Sequence, residues 1–288
     1  MKIVRTINAC KEALKKKQTN KIGFVPTMGF LHEGHLSLAK EAREENDIVV
    51  MSIFVNPLQF GPNEDFERYP RDEERDARVA EEAGVDLLFI PDVEEMYPET
   101  MGIKMTIDKG TNVLCGRSRP GHFDGVITVL TKLFHLVQPT NAYFGLKDAQ
   151  QFAVVHTLVE ELNFPIKLVG VPTVRETDGL AKSSRNVYLS AKERAEAVSL
   201  YKSLLAGQKR IVDGMKNPVT IINEVENYLH NHTTGTIDYV ELLNFPKLEE
   251  IGDIEETVII AVAVQYEQAR LIDNIILDRH GQLIDRVK

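Results

Sequence analysis

Short runs of apolar residues alternate with longer amphipathic stretches through the first two-thirds of the chain. Ile22-Gly23-Phe24-Val25 and Ile48-Val49-Val50-Met51-Ser52-Ile53-Phe54-Val55 are apolar at successive positions, as in parallel strands buried on both faces. Between them Leu36, Leu38, Ala39 and Ala42 recur among Lys40, Glu41, Arg43 and Glu44, which predicts a helix and makes the whole a β-α-β unit. The alternation continues with a charged helix over 71–83 stopped at Gly84 and a strand over 85–90 ended by Pro91. A helix over 126–137, a strand over 142–144, a helix over 149–162 and a strand over 166–171 follow. This order predicts a Rossmann-like, doubly wound parallel sheet in an α/β fold. After Asp178-Gly179 the pattern changes to two helices, about 191–212 and 219–230, then three strand-like runs near 237–243, 257–264 and 270–277. That change predicts a smaller C-terminal α+β domain. The expected division is a catalytic domain over 1–176 and a second domain over 177–288, with a hinge near 174–180.

Composition narrows the class. With 43% hydrophobic and 27% charged residues the chain has the mix of a globular protein rather than a disordered one. Its longest apolar run, 258–264, is seven residues, against the roughly 18 that a membrane span needs. The first residues carry no secretory pattern, which predicts a cytoplasmic protein. Cys10 and Cys115 stand far apart in no paired or metal-binding spacing, so they read as idle thiols. A net charge of −9 argues against nucleic acid as the main partner.

The chemistry concentrates between the first long strand and its helix. No G-x-x-x-x-G-K-[ST], G-x-G-x-x-G or G-x-S-x-G occurs, which removes the usual support for P-loop, dinucleotide and serine-hydrolase readings. Instead Pro26-Thr27-Met28-Gly29-Phe30-Leu31-His32-Glu33-Gly34-His35 occupies a strand-turn-helix start. Open amides and the positive end of a helix dipole welcome anionic oxygens there. His32 and His35, three apart, share one face of the first turn and add side-chain donors. Gly34 places no side chain between a phosphate and the backbone. Despite Glu33, the H-x-x-H spacing is not that of a zincin helix.

Further blocks follow in order: Asn56-Pro57-Leu58-Gln59-Phe60, Tyr69-Pro70-Arg71, Arg117-x-Arg119-Pro120-Gly121-His122-Phe123-Asp124-Gly125, Tyr143-Phe144-Gly145-x-Lys147-Asp148-x-Gln150-Gln151 and Lys182-Ser183-Ser184-Arg185-Asn186. With the P-T-M-G-x-L-H-x-G-H loop they resemble the pantothenate synthetase family of the H-I-G-H nucleotidyltransferase-like superfamily. Each block alone is weak; six in order are specific. The resemblance covers about 22–189 and resumes at Arg270-Leu271-Ile272-Asp273-Asn274.

The resemblance implies an AMP-forming ligase that activates pantoate with ATP and joins it to β-alanine, acting as a homodimer with Mg²⁺. It implies that Met28, Gly29, Phe30, Leu31, His32, Glu33, Gly34 and His35 grip ATP, helped by Gly145, Leu146, Lys147, Asp148 and Val174 and by Lys182, Ser183, Ser184 and Arg185. His32, His35, Lys147 and Arg185 are the expected catalytic donors, because charge builds on phosphate oxygens as the pantoate carboxylate attacks. Gln59 and Gln151 match pantoate-binding positions, where an amide binds hydroxyls without blunting the carboxylate. Asp76 and Asp148 are the candidate Mg²⁺ carboxylates. Two residues depart from the pattern: Phe30, where a smaller residue is expected, and Leu146, where a charged one is common. The competing reading is a nucleotidyltransferase of the same superfamily acting on a phosphorylated acceptor, which would need more cations than Gln59 and Gln151 supply.

Overall fold

The computed structural model describes residues 1–15, 20–62, 64 and 66–287. The chain forms two compact units, one of 1–145, 154–171 and Val287, the other of 146–153 and 172–286. Strands β1 (Lys2–Val4), β2 (Ile22–Thr27), β3 (Ile48–Ile53), β4 (Leu87–Phe89), β5 (Asn141–Gly145) and β6 (Lys167–Val171) form the sheet of the first unit. Their order is β1-β4-β3-β2-β5-β6 and every pairing is parallel, so the unit is a Rossmann-like doubly wound sheet. The run of register from Ile22 opposite Ile48 to Thr27 opposite Ile53 is continuous. Strand order reverses between β2 and β5, and the loops leaving their carboxyl ends diverge there, as they do around ligand sites in such sheets.

Helices α1 (Ile7–Lys15), α2 (Glu33–Glu45), α3 (Glu73–Glu82), α4 (Val93–Met96), α5 (Leu114–Ser118), α6 (His122–Val137) and α7 (Ala149–Glu161) join these strands, the first residues of α7 being grouped with the second unit. The apolar stripe of α2, Leu38, Ala39 and Ala42, packs in one core with Val25, Met51, Leu88 and Val169. At the sheet's far edge Gly170 of β6 donates its N–H to the Val287 carbonyl at 2.8 Å in an isolated antiparallel bridge.

In the second unit α8 (Ala191–Val212) and α9 (Pro218–His232) pack with an antiparallel sheet of β7 (Thr236–Asn244), β8 (Val258–Gln265) and β9 (Arg270–Leu277), ordered β7-β8-β9. Leu200, Leu204 and Ile211 of α8, Ile221, Val225 and Leu229 of α9, and Val258, Ile260, Val262 and Val264 of β8 share its core. Gly207 permits the close helix crossing, since a Cβ there would lie 2.7 Å from Val225 Cγ2. This is the smaller α+β part that the pattern predicts.

The structure departs from the pattern mainly at short elements. Three-residue β1 and four-residue α4 are too short to show a period, and α1 and α5 also go unread. Helix α3 starts at Glu73 rather than 71, because Asp72 caps it by accepting the Arg75 N–H at 3.1 Å. Helix α6 starts at His122, four residues before 126, behind Gly121 at φ 79°. No helix among the described residues is long and apolar enough to cross a membrane.

One buried polar cluster ties α2 to the sheet. The Asn46 amide donates to the Ala42 carbonyl and to Tyr143 Oη, both at 2.7 Å, and its oxygen accepts from Asn141 Nδ2 at 2.7 Å. Tyr143 Oη donates to Glu45 at 2.9 Å, and burial pushes its phenol well above the ordinary value, keeping the donor protonated. Gly23 makes room, since a Cβ there would sit 2.6 Å from Asn46 Nδ2. Asn46→Ala strands the Asn141 amide and the Ala42 carbonyl, and we expect a loss of about 2–3 kcal/mol in urea unfolding from unsatisfied buried groups.

Candidate active site

At the carboxyl end of β2 the chain makes a turn that only particular contacts sustain. Thr27 Oγ1 donates to the Ser52 carbonyl at 2.7 Å and accepts the Gly29 N–H at 3.2 Å. Gly29 and Phe30 are both left-handed, at φ 84° and 50°; a Cβ on Gly29 would lie 2.9 Å from Ile53 Cγ2. The next two amides, those of Phe30 and Leu31, donate to Oδ2 and Oδ1 of Asp76 at 2.6 and 2.7 Å. Asp76 is 1% exposed, and burial pushes its carboxyl above the ordinary value, against the two amides and the Arg75 guanidinium at 3.6 Å, which favour the charged form. The Arg75 guanidinium also lies over the Phe30 ring, 5.4 Å from its centroid.

The turn delivers His32 in an extended conformation, φ −133° and ψ 175°, to cap α2. The two histidines cap the helix reciprocally. His32 Nδ1 accepts the Gly34 N–H at 3.1 Å, and His35 Nδ1 accepts the His32 N–H at 3.2 Å. A neutral imidazole has one donor and one acceptor nitrogen, so acceptance at Nδ1 puts the proton of each ring on Nε2. The rings stand 4.1 Å apart. Gly34 is required because a Cβ would lie 2.8 Å from His32 Cε1. The amides of Phe30, Leu31, His32 and Gly34 are all taken within the protein, the first two by Asp76 and the last two by the imidazoles.

Gln59 closes the 3-10 turn Pro57–Gln59 at the end of β3. Its Oε1 accepts from Asn56 Nδ2 at 3.1 Å and its Nε2 lies 3.2 Å from Met28 Sδ. A thioether is a weak acceptor, so this N–H gains by exchanging sulfur for a ligand oxygen. Asn56 is held by the Gly125 carbonyl at 3.1 Å and by Tyr97 Oη, which donates to its Oδ1 at 3.0 Å. Helix α6 passes so close that a Cβ on Gly125 would lie 2.3 Å from the Leu58 carbonyl oxygen. The Gln59 carbonyl accepts from His122 Nδ1 at 2.8 Å, and His122 Nε2 accepts from Arg119 at 3.1 Å. Arg119 in turn forks onto Glu64 at 2.7 and 2.5 Å. Asn56, Arg119 and His122 stand in motif blocks of the sequence, but their supporting work needs the fold to be visible.

In the second unit Leu146, Lys147 and Asp148 form a 3-10 turn ahead of α7, on whose first turn Gln151 is half-buried. Leu146 is 4% exposed, so the apolar departure serves packing rather than a phosphate contact. Lys147 Nζ lies 3.5 Å from Asp148. Residues 174–182, which include the expected hinge near 174–180, form a hydrogen-bonded hairpin: Lys182 donates to the Val174 carbonyl at 2.9 Å and Glu176 to that of Leu180 at 2.8 Å. Ser183 Oγ accepts the Arg185 N–H at 3.2 Å and caps the 3-10 turn Ser184–Tyr188, while Lys182 Nζ is 3.5 Å from Glu176. Gly145 ends β5 in the first unit.

Among the described residues no three His, Cys, Asp or Glu converge as a metal-holding group. Both oxygens of Asp76, a candidate Mg²⁺ carboxylate, accept backbone amides inside the turn, which gives this group a structural part. Mg²⁺ carried on nucleotide phosphates needs only one or two carboxylates, and Asp148, with its side chain 55% exposed beside Lys147, fits that use. Cys10 is buried with its thiol pushed up to about 11, which keeps it out of nucleophilic chemistry.

Comparison with known proteins converges on one family. The sequence pattern of the pantoate-beta-alanine ligase family matches residues 2–276. A pantothenate synthetase of Bacillus pumilus is 62% identical over 278 residues, 96% of each chain, and that of Bacillus subtilis is 58% identical over 280 residues, 96% of this chain and 98% of the other. The crystal structure of the Thermus thermophilus pantothenate synthetase superposes with a TM-score of 0.91 at 48% identity, covering 97% of this chain and all of the other (100%). A Francisella tularensis pantoate-beta-alanine ligase, complexed with beta-gamma ATP and beta-alanine, gives a TM-score of 0.78 at 33% identity over 96% of this chain and 97% of its own.

The Glu64–Arg119 pair carries a pH signature. The Arg119 guanidinium holds the Glu64 carboxyl below its ordinary 4.5. A lowered folded-state value means stability present above 4.5 and lost as the pH falls through the lowered value. Glu64→Gln therefore flattens the acid limb of a stability-versus-pH curve below 4.5, by about 1 kcal/mol for a partly buried pair, as read by urea unfolding at stepped pH.

Proposed function

This chain belongs to the pantoate-β-alanine ligase family, and we propose how its residues divide the work of that reaction. The enzyme condenses pantoate with β-alanine at the expense of ATP. A pantoate carboxylate oxygen attacks the α-phosphorus and pyrophosphate leaves; the β-alanine amine then attacks the acyl carbon of pantoyl adenylate, loses a proton and displaces AMP. Products are pantothenate, AMP and pyrophosphate. The adenylate is the activated species, so no enzyme nucleophile is needed.

The observation that carries the division is the reciprocal imidazole cap. With both Nδ1 atoms accepting backbone amides, His32 and His35 carry Nε2–H donors whose orientation is set before substrate arrives. Preorganised donors of this kind stabilise the charge that develops on phosphate oxygens. Lys147 and Arg185 supply fixed positive charge to the phosphates, with Lys182, Ser183 and Ser184 as further donors and the backbone at Gly145, Leu146 and Val174 against the nucleotide. Gln59, braced through Asn56, and Gln151 bind pantoate hydroxyls and leave its carboxylate free to attack. Asp148 would be the protein carboxylate for Mg²⁺ carried on the ATP phosphates, where the ion would supply positive charge against the leaving pyrophosphate. A homodimer and a cytoplasmic location belong to the same reading, the homodimer resting on the family resemblance.

Pyrophosphate–ATP exchange, measured with β-alanine omitted, tests this reading. Exchange that requires pantoate is expected. No exchange with any acid, together with transfer of AMP to a phosphorylated acceptor, would replace it with the nucleotidyltransferase reading. His35→Ala should cut pantoate-dependent exchange by ~10²–10³, the usual worth of one oriented transition-state donor, with the circular dichroism spectrum unchanged. Near-normal exchange in that variant would remove His35 from its role.

A further inference from the structure

We infer that Asn274 of β9 is a positioning residue for Lys147, holding the backbone turn that carries this lysine. The inference rests on the role of Lys147 stated above. The Asn274 amide nitrogen donates to two successive carbonyls, those of Leu146 at 3.0 Å and Lys147 at 2.8 Å. Asn274 is 7% exposed, so these bonds are shielded from water. One amide thus anchors both carbonyls from a strand more than a hundred residues away in sequence.

The neighbouring residue strengthens the case. Successive strand side chains point to opposite faces, and Asp273 uses its face to hold the other cationic segment. It accepts both Arg175 nitrogens, at 2.7 and 3.0 Å, and is 2% exposed. Arg175 also donates to the Gly179 carbonyl at 3.1 Å and lies over the Tyr201 ring at 3.7 Å, which pins the hairpin leading into Lys182-Ser183-Ser184-Arg185. Two adjacent residues of β9 therefore anchor the turn with Lys147 and the hairpin before Arg185. A cation that stabilises a transition state must be held in place, and a displacement of about 1 Å costs on the order of 10²-fold in rate.

The test is a double-mutant cycle with Asn274→Ala, Lys147→Ala and their combination, read by the kcat and ATP KM of pantoate-dependent exchange. Asn274→Ala is expected to lower kcat roughly 10- to 100-fold with little change in KM. In the Lys147→Ala background the same change should cost no more than about twofold, because residues acting as a unit are not additive. Asn274→Thr, whose β-branched side chain suits a strand and keeps one hydroxyl donor, should fall between alanine and wild type, and it carries the test if the alanine variant does not fold. An equal loss in both backgrounds would overturn the inference, as would unchanged exchange in Asn274→Ala. If Lys147→Ala retains full exchange, the role of Lys147 itself fails, a pattern distinct from the other two.

Discussion

Two consecutive backbone amides donating to one buried carboxylate hold the β2–α2 turn in a shape its own residues resist. A left-handed conformation costs an ordinary side chain roughly 1–2 kcal/mol, and Phe30 adopts it directly after Gly29. Charge-assisted bonds from Phe30 and Leu31 to Asp76 offset that cost. The rest of the site follows from them. Leu31 is driven fully into the core, His32 arrives extended, and the paired imidazoles can cap α2. Asp76 is thus to the loop what a bound anion is to an empty nest of amides. A carboxylate withdrawn into the protein sets the geometry, and the imidazoles cap the helix that follows.

The long elements were legible because burial writes itself into composition. Strands β2 and β3 are apolar at successive positions since a parallel sheet covers both faces, and α2, α8 and α9 carry their stripes at helical spacing. Short β1 and α4 contain too few residues for any period, and the early start of α6 depends on Gly121 entering a left-handed conformation, which the pattern does not encode. The site was legible as a set of residue types in motif blocks. What could not be read was the direction of each side chain. His32 and His35 were visible as donors, whereas their use of Nδ1 to cap the helix follows only from coordinates. Asp76 lay in a charged helix that sequence reads as solvated, yet it is among the most buried charged groups of the chain.

Long-range pairs show the same limit from another side. Arg175 and Asp273 lie 98 residues apart, and neither has a neighbour in sequence that announces the other. Such a pair is expensive to bury unless both partners are well satisfied. Here the guanidinium has a carboxylate, a carbonyl and an aromatic face, and the hairpin it pins becomes part of the second unit rather than a loose connection. The departure at Leu146 fits this picture: in a turn fixed by its carbonyls, the side chain is released to pack inside.

The pairing of Val287 with Gly170 has a consequence for behaviour in solution at high concentration. An open sheet has two margins of unpaired amides and carbonyls, and each is a template on which another copy can grow. One margin of this sheet is the three-residue β1, too short to recruit a foreign strand, and on the other Gly170 pairs with Val287. The last described residues thus act as a guard against edge-to-edge polymerisation, a duty unconnected with turnover.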